Sequence, residues 1–544
     1  MKANSDKSKQ SKKATRRVLA GVLCGASVLS LALSLVMPPI SQAIANDAQT
    51  VPTEKTVTED SSTESTDVDN TNNGDTENQN SDETEGGEAG DDVQSEGLSE
   101  EDSQDEDAEQ AADDASNEGA IPPVAEDATE YTLINSADDL SRYLQNDKKA
   151  GKYRLNLDIE YASDITLGQG ETTIDLNGHK IKHSGVEPGK SPNMSMFNVP
   201  EGATLTIEDL QQAADNKFEQ DGDKNGNLAK LDYDGTTPSK LTYYVTDSTS
   251  SDTATTETLF KHEVAINGAI VGTTAHSTMR LINVCGGTFN LQSGVLTTNQ
   301  DANVRHLIYA DNGSTVSMSG GYVCGASMGS DGAGAGIHVE DSTLDEGSTL
   351  EISGGVIAGN YAPSGGGVYA KNSTVHMVGG IISGNGTNDY QSGYGAGICA
   401  ENSNVTITGG YITNNRYQRY VDQEGNTTHL GNGCHGGGGI AAFNGGSLTI
   451  AGGYITGNYS AEAGGGVYAG AWNRALSLFT FSGGTIASNV AQNSEGGGIR
   501  ISAPTESVFN VPIGTKAYIT NNKTNTDNDW GGGGVFVQGG DGGG

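Results

Sequence analysis

The chain has 544 residues with 30 basic and 70 acidic side chains, and its net charge of −40 argues against nucleic acid as a partner. The excess is local: residues 46–130 hold 29 Asp and Glu, one Lys and no aromatic residue, too little apolar surface to offset chain entropy. The last 414 residues contain 70 glycines, which excludes a helical protein, because each interior Gly costs a helix ~1 kcal/mol.

In chain order, seven Lys and Arg between Lys2 and Arg17 precede the apolar run Val18–Met37, then Pro38-Pro39 and the small-residue site Ala43-Ile44-Ala45. This predicts a signal peptide over residues 1–45, cleaved after Ala45. The run is also just long enough to stay as an anchor, in which case the chain meets a membrane only through this N-terminal segment. Either way the remainder is expected outside the cell, secreted or at the cell surface. Residues 46–130 are then a disordered acidic linker, averaging roughly 50 Å end to end.

Residues 131–162 are expected to form an N-terminal cap, in which Ser136, Asp138 and Asp139 start a short helix whose Leu140, Tyr143 and Leu144 share a face. From residue 163 to 544 a repeat takes over. Gly354-Gly355-Val-Ile-Ala-Gly-Asn360, Gly379-Gly380-Ile-Ile-Ser-Gly-Asn385 and Gly409-Gly410-Tyr-Ile-Thr-Asn-Asn415 share a pattern that returns at Gly452-Gly453 and Gly483-Gly484. Degenerate copies are read at Gly286-Gly287 and Gly320-Gly321. Before each pair stand two apolar residues at a spacing of two, such as Val375 and Met377. Two residues after it stands another, such as Ile382. A Gly run ending in Val or Ile (Ile337, Val368, Ile398, Ile440, Val467, Ile499, Val535) supplies a third apolar register. Each unit thus has three short strands with one buried face. Such units cannot stand alone and must stack, which predicts an all-β parallel β-helix with apolar ladders inside. Asn360, Asn385, Asn415, Asn458 and Asn489 form a further ladder, read as amide stacking at a left-handed turn.

Two segments break the repeat. Residues from about 209 to 258 read as an inserted loop. Within it Asp221, Asp223, Asn225, Asn227 and Asp232 carry oxygen at the spacing of an EF-hand-like calcium loop, with Gly226 at the turn. They are candidate Ca²⁺ ligands, against a plain polar surface turn. The long loop 416–436 carries Arg416, Tyr417, Arg419 and Tyr420, with Tyr390, Tyr394 and Tyr459 on neighbouring turns. Tyr and Arg suit stacking on sugars or anchoring a protein, so these seven are the candidate ligand-binding residues. Cys285, Cys324, Cys399 and Cys434 match no zinc motif, although Cys399 and Cys434 belong to successive coils and could pair. The final Gly-rich stretch stops part-way through a coil, which suggests a truncated C-terminal end.

The repeated GG-x-I-x-x-N unit and Thr173-Ile-Asp-Leu-Asn-Gly-His-Lys-Ile181 resemble right-handed parallel β-helix surface proteins of the pectate-lyase-like superfamily, loosely those called polymorphic outer membrane proteins. The resemblance implies a bacterial exterior and a fold that hosts adhesins, lyases and hydrolases. Asn525-Thr526-Asp527 matches the opening of a polygalacturonase motif, but too little chain follows for its partners. His338, Glu340 and Asp341 are the nearest to a loop-built catalytic group and read as a solvated strand end; no catalytic residue is assigned. The expected function is an adhesin-like, non-catalytic binder of extracellular glycans or proteins. The alternative is a polysaccharide lyase or glycoside hydrolase acting on acidic polysaccharide.

Overall fold

The computed structural model describes residues 131–183, 195–221, 228–251, 253–273, 279–300, 302, 304–328, 332–387, 393–417, 436–471, 474–525 and 531–539. The expected signal peptide and acidic linker lie outside them. The described chain is all-β apart from short helical turns, and most of its strands join one long sheet in which the pairings between units are parallel.

Each strand pairs with its counterpart in the next unit, so equivalent residues form rungs. Val316, Leu350, Val375, Val405, Leu448 and Phe479 run in one such ladder. Ile357, Ile382, Ile412, Ile455 and Ile486 run in a second. Ile308, Ile337, Val368, Ile398, Ile440, Val467 and Ile499 run in a third. All three are buried in one continuous core. A buried Ile contributes ~1.5–3 kcal/mol, so the ladders hold the units together far more than any local propensity does. A fourth row of two-residue strands, from Tyr361–Ala362 to Lys523–Thr524, forms a separate parallel sheet that the three-register reading lacks.

At the start of the described chain, Ser136 Oγ accepts from the Asp139 amide at 3.1 Å and caps Ala137–Leu140. The helix continues as a wider turn, Ser141–Asn146, and Leu140 and Leu144 enter the core.

Two details of the repeat differ from expectation. Phe289 pairs with Val316, and Leu296 pairs with Val323, so the first true turn is Ser293-Gly294 and not Gly286-Gly287. Gly294 has φ +82°, matching +71° at Gly321 and +76° at Gly355; Gly286 shares the positive φ at +76° but precedes the strand Thr288–Leu291, which pairs with Thr315–Met318. The ladder asparagines are also not the left-handed residues. Positive φ falls one position earlier, on Gly359, Gly384, Asn414, Gly457, Ser488 and Asn521.

The segment read as a loop is a four-stranded antiparallel sheet built from Asn216–Gln220, Lys230–Asp234, Thr237–Ser250 and Thr255–Ala265. Leu241, Tyr243, Val245 and Val264 bury against Val271, Val295, Tyr322 and Val356 on the outside of the coils. The alternation along Thr237–Ser250 was present in the sequence, but it has no partner in the coil repeat and was therefore invisible to a search for that repeat.

Candidate functional site

The fourth row of strands forms one corner of each coil. Tyr361, Gly386, Arg416 and Tyr459 occupy consecutive rungs there, followed by Val490 and Lys523. The Tyr361 ring lies across Gly386, where a Cβ would meet it at 2.7 Å. The Arg416 guanidinium carbon sits 4.6 Å from the Tyr459 ring centre, a cation–π pair formed by adjacent rungs ~4.8 Å apart. Burial pushes the Tyr361 hydroxyl upward, and the Arg416 charge opposes that shift.

Of the seven expected ligand-binding residues, the structure thus joins Arg416 and Tyr459. Tyr417 pairs with Thr387 through its backbone strand. Tyr394 belongs to a different cluster: its half-buried ring packs 5.0 Å from Phe443 and 6.1 Å from Tyr468, over the outer side of the Gly-run strands. Tyr390, Arg419 and Tyr420 lie outside the described residues, as does Cys434. Cys399 is buried in that same cluster, between the rungs of Tyr369 and Ala441, and its expected pairing with Cys434 falls outside the described residues.

Among the five calcium candidates, Asp223, Asn225 and Asn227 also lie outside the described residues. Asp221 is exposed. Asp232 is in a strand and is held by Lys230 Nζ at 2.7 Å and Lys240 Nζ at 3.2 Å, which lower its pKa. A cation there would have to displace two ammonium groups. No group of three or more metal-ligating side chains occurs among the described residues.

His338 is not a solvated strand end. It is buried between the tilted rings of Tyr309 at 5.0 Å and Tyr369 at 4.9 Å on successive rungs, with His306 edge-on at 4.7 Å. Its Nδ1–H donates to the Ala333 carbonyl at 2.8 Å, and its Nε2 faces Glu340 Oε2 at 3.2 Å. Tyr309 donates to Glu340 Oε1 at 3.1 Å and carries the Arg280 guanidinium 3.4 Å above its ring. The His338 contact holds Glu340 down at about 2, whereas burial raises Asp311 to about 6. Asp341, also raised by burial, accepts from Ser348 N and Oγ at 2.6 Å. Two carboxyls at the ends of adjacent strands with pKa values pushed apart resemble an acid–base division of labour. Sequence inspection reached His338, Glu340 and Asp341 but missed Arg280, Tyr309 and Asp311, which arrive from the two preceding rungs.

The outward Tyr–Glu contact recurs two units on: Tyr369 donates to Glu401 Oε1 at 3.0 Å, as Tyr309 does to Glu340. A contact that repeats with the fold is first a structural device. Among the described residues, no helix is long and apolar enough to cross a membrane. No protein-family model, curated protein or solved structure matches the chain.

Proposed function

We propose that this chain is a right-handed parallel β-helix of the pectate-lyase-like kind, exported to the bacterial exterior, which binds glycans or proteins of a neighbouring or host cell and performs no chemistry. The observation that carries the reading is the corner pair Arg416–Tyr459, a cation and an aromatic ring held in fixed register by the coil. A rigid solenoid that holds such a pair in register offers a preorganised contact surface. The acidic segment would act as a spacer behind it. Calcium at Asp221 and its neighbours remains part of the proposal as a loop-ordering ion.

Glycan-array binding by the full chain tests this reading. Arg416→Ala together with Tyr459→Ala should weaken binding at least tenfold, and binding that survives deletion of 416–435 would rule the corner out.

The lyase or hydrolase alternative rests on the Asp311–Glu340 contrast. Incubation with pectin, alginate and mucin glycans, with and without Ca²⁺, separates the two readings. New reducing or unsaturated ends that vanish in Glu340→Gln would favour the enzyme.

A further inference from the structure

The inserted sheet has two edges, and the fold treats them differently. Along one of them, Lys230–Asp234 is broken by a bulge between Asp232 and Tyr233, and the Ala229 amide just before it donates to the Gly384 carbonyl of a coil at 3.4 Å. Past that strand, the bare edge of Thr237–Ser250 is met by hydroxyls of successive coils: Ser383 Oγ donates to the Tyr244 carbonyl, the Thr246 amide to Thr413 Oγ1 at 3.1 Å, and Thr456 Oγ1 to the Thr246 carbonyl at 2.5 Å. The other edge is Asn216–Gln220. It pairs with Thr255–Ala265 without a break, from Asn216–Glu263 to Gln220–Leu259, and the amides and carbonyls on its free side meet no backbone partner among the described residues. Asn216, Lys217, Phe218 and Glu219 are all exposed, Phe218 to 50%. An unblunted edge of this kind is a template for one more strand.

The side chains select the strand that fits. Laid antiparallel on a second copy and centred on Phe218, Asn216-Lys217-Phe218-Glu219-Gln220 is its own complement: Asn216 faces the partner's Gln220, Lys217 faces the partner's Glu219, and Phe218 faces the partner's Phe218. Lys217 and Glu219 stand on one face, because the Lys217 ammonium lies 3.6 Å from the centre of the Phe260 ring and Glu219 is the rung partner of Phe260. Opposite charges directly across two strands are favourable and like charges are not, so the same residues fix the register. A slip of two residues in one direction sets Lys217 against the partner's Lys217, and in the other direction Glu219 against the partner's Glu219. A lone Lys on an edge discourages strand addition. Here each Lys is matched, and the strip is locally neutral in a chain of net charge −40.

We propose that two copies of this chain associate through Asn216–Gln220, antiparallel about a two-fold axis at Phe218, so that their inserted sheets become one. The contact uses the same patch on both copies and closes at two. It is a strip ~17 Å long and one strand wide, well short of the ~800 Å² per partner of a stable interface, so the dimer is weak and forms where the chain is concentrated. It goes beyond the glycan-binding reading and is independent of the Arg416–Tyr459 corner.

Sedimentation velocity of the full chain tests the pairing. The weight-average mass should climb from the monomer value toward twice that value between ~1 and ~500 µM, the range of a small interface. A constant monomer mass over that range would overturn the proposal. Lys217→Glu turns both Lys–Glu pairs into like-charge pairs and should raise the dissociation constant about tenfold. Adding Glu219→Lys restores both pairs with the signs exchanged and should bring the constant back to within about threefold. Both side chains are exposed, so the melting temperature should stay that of the unaltered chain. Association that ignores Lys217→Glu, or a double variant as weak as the single one, would refute this edge. Phe218→Cys puts two thiols on the axis, with opposed Cβ atoms ~4.5–5.5 Å apart, near the ~3.5–4.5 Å of a disulfide. Mild oxidation should trap a covalent dimer about tenfold faster than in Asn216→Cys, whose position faces the partner's Gln220. Equal trapping rates would refute the two-fold register.

Discussion

Buried imidazoles on this fold are set by backbone carbonyls. His183 donates through Nδ1–H to the Tyr161 carbonyl at 3.1 Å, and its buried Nε2 meets no hydrogen-bond partner among the described residues. Protonating it would place an N–H in an apolar site, and burial accordingly lowers its pKa to about 4. A base whose pKa falls on folding contributes stability that is complete above its unfolded value of 6.5 and is lost as pH falls toward about 4. His306 acts in the same direction, because it is buried and bonded to the Gly334 carbonyl at 2.8 Å. Asp311 has the opposite sign: raised to about 6, it favours the folded state at low pH and withdraws that preference as pH rises through about 6. Denaturant titrations at pH 7.5 and 4.5 should therefore show a stability loss at the acid end that shrinks by about 2 kcal/mol in His183→Gln, whose amide can still donate to Tyr161. An unchanged difference between the two pH values would remove His183 from the acid limb. Residue-scale chemistry of this kind was poorly legible beforehand. His338 read as exposed because its strand position faces outward, and only the aromatic side chains on neighbouring rungs bury it.

At the scale of the element, the two marks that made the repeat visible prove to be one device. Asn415 Nδ2 donates to Asn458 Oδ1 at 3.1 Å and to the Ile382 carbonyl at 2.9 Å, while its own Oδ1 accepts from Asn385 Nδ2 at 3.0 Å. The same pattern runs from Asn360 to Asn522, each amide joined to the next and all but that of Asn522 fully buried. The amide needs room, and the Gly run supplies it: a Cβ on Gly397 would stand 3.0 Å from Asn415 Nδ2 and 2.6 Å from the Gly439 carbonyl. Gly367 is related to Asn385 in the same way. The co-occurrence of Asn five residues after the Gly pair with a later Gly run is thus a steric requirement, which is why the coil was legible from spacing alone. The misplacement of the first turn has the same origin. Gly286-Gly287 imitates the mark, but no ladder asparagine follows it, and Asn290 instead bonds Thr206 at 3.2 Å on an outward position. Gly397→Ala should destabilise the chain by about 2–4 kcal/mol, the sum of a displaced carbonyl and a broken amide pair. Asn415→Leu should cost a similar amount by stranding the Asn385 amide. Combined in one chain, the two should cost much less than their sum, because they break the same contact. Additivity in chemical-denaturation free energies would show that the Gly run and the ladder act separately.

For the whole molecule, the coil repeat alone predicts weak long-range coupling, since each coil touches only its neighbours and stability approximates a sum of nearest-neighbour terms. The inserted sheet changes that. Its long hairpin lies along the outside of the coils: Ser383 Oγ donates to the Tyr244 carbonyl, and the Thr246 amide donates to Thr413 Oγ1 at 3.1 Å. Further along, Tyr411 reaches Asp247 at 3.2 Å, and Thr255 meets Thr520 at 3.1 Å. Asn521 donates to Glu257 at 3.1 Å. One element that leaves the chain before Ala269–Gly272 therefore ties together coils spread over some 250 residues of sequence. The coil pattern could not disclose this, because an antiparallel hairpin obeys a different period and its partners lie at distant rungs. The consequence is thermodynamic: the C-terminal coils should unfold together with the middle ones, and not fray from the end. Shortening the hairpin by replacing residues 246–259 with a two-residue Asn-Gly turn, which joins the paired residues Val245 and Phe260, removes the contacts at Thr413, Asp247, Thr520 and Asn521 while keeping Tyr243 and Val245, which bury against the earlier coils. In the intact chain, backbone amides from the ladders at Ile412 and Ile486 should exchange with similar free energies of opening. In the shortened chain, those near Ile486 and Ile519 should open by a lower-energy route than those near Ile412, and calorimetry should resolve a second, earlier transition. If both chains melt in one transition with equal protection along the ladders, the hairpin is a passenger and nearest-neighbour stacking alone makes the solenoid cooperative.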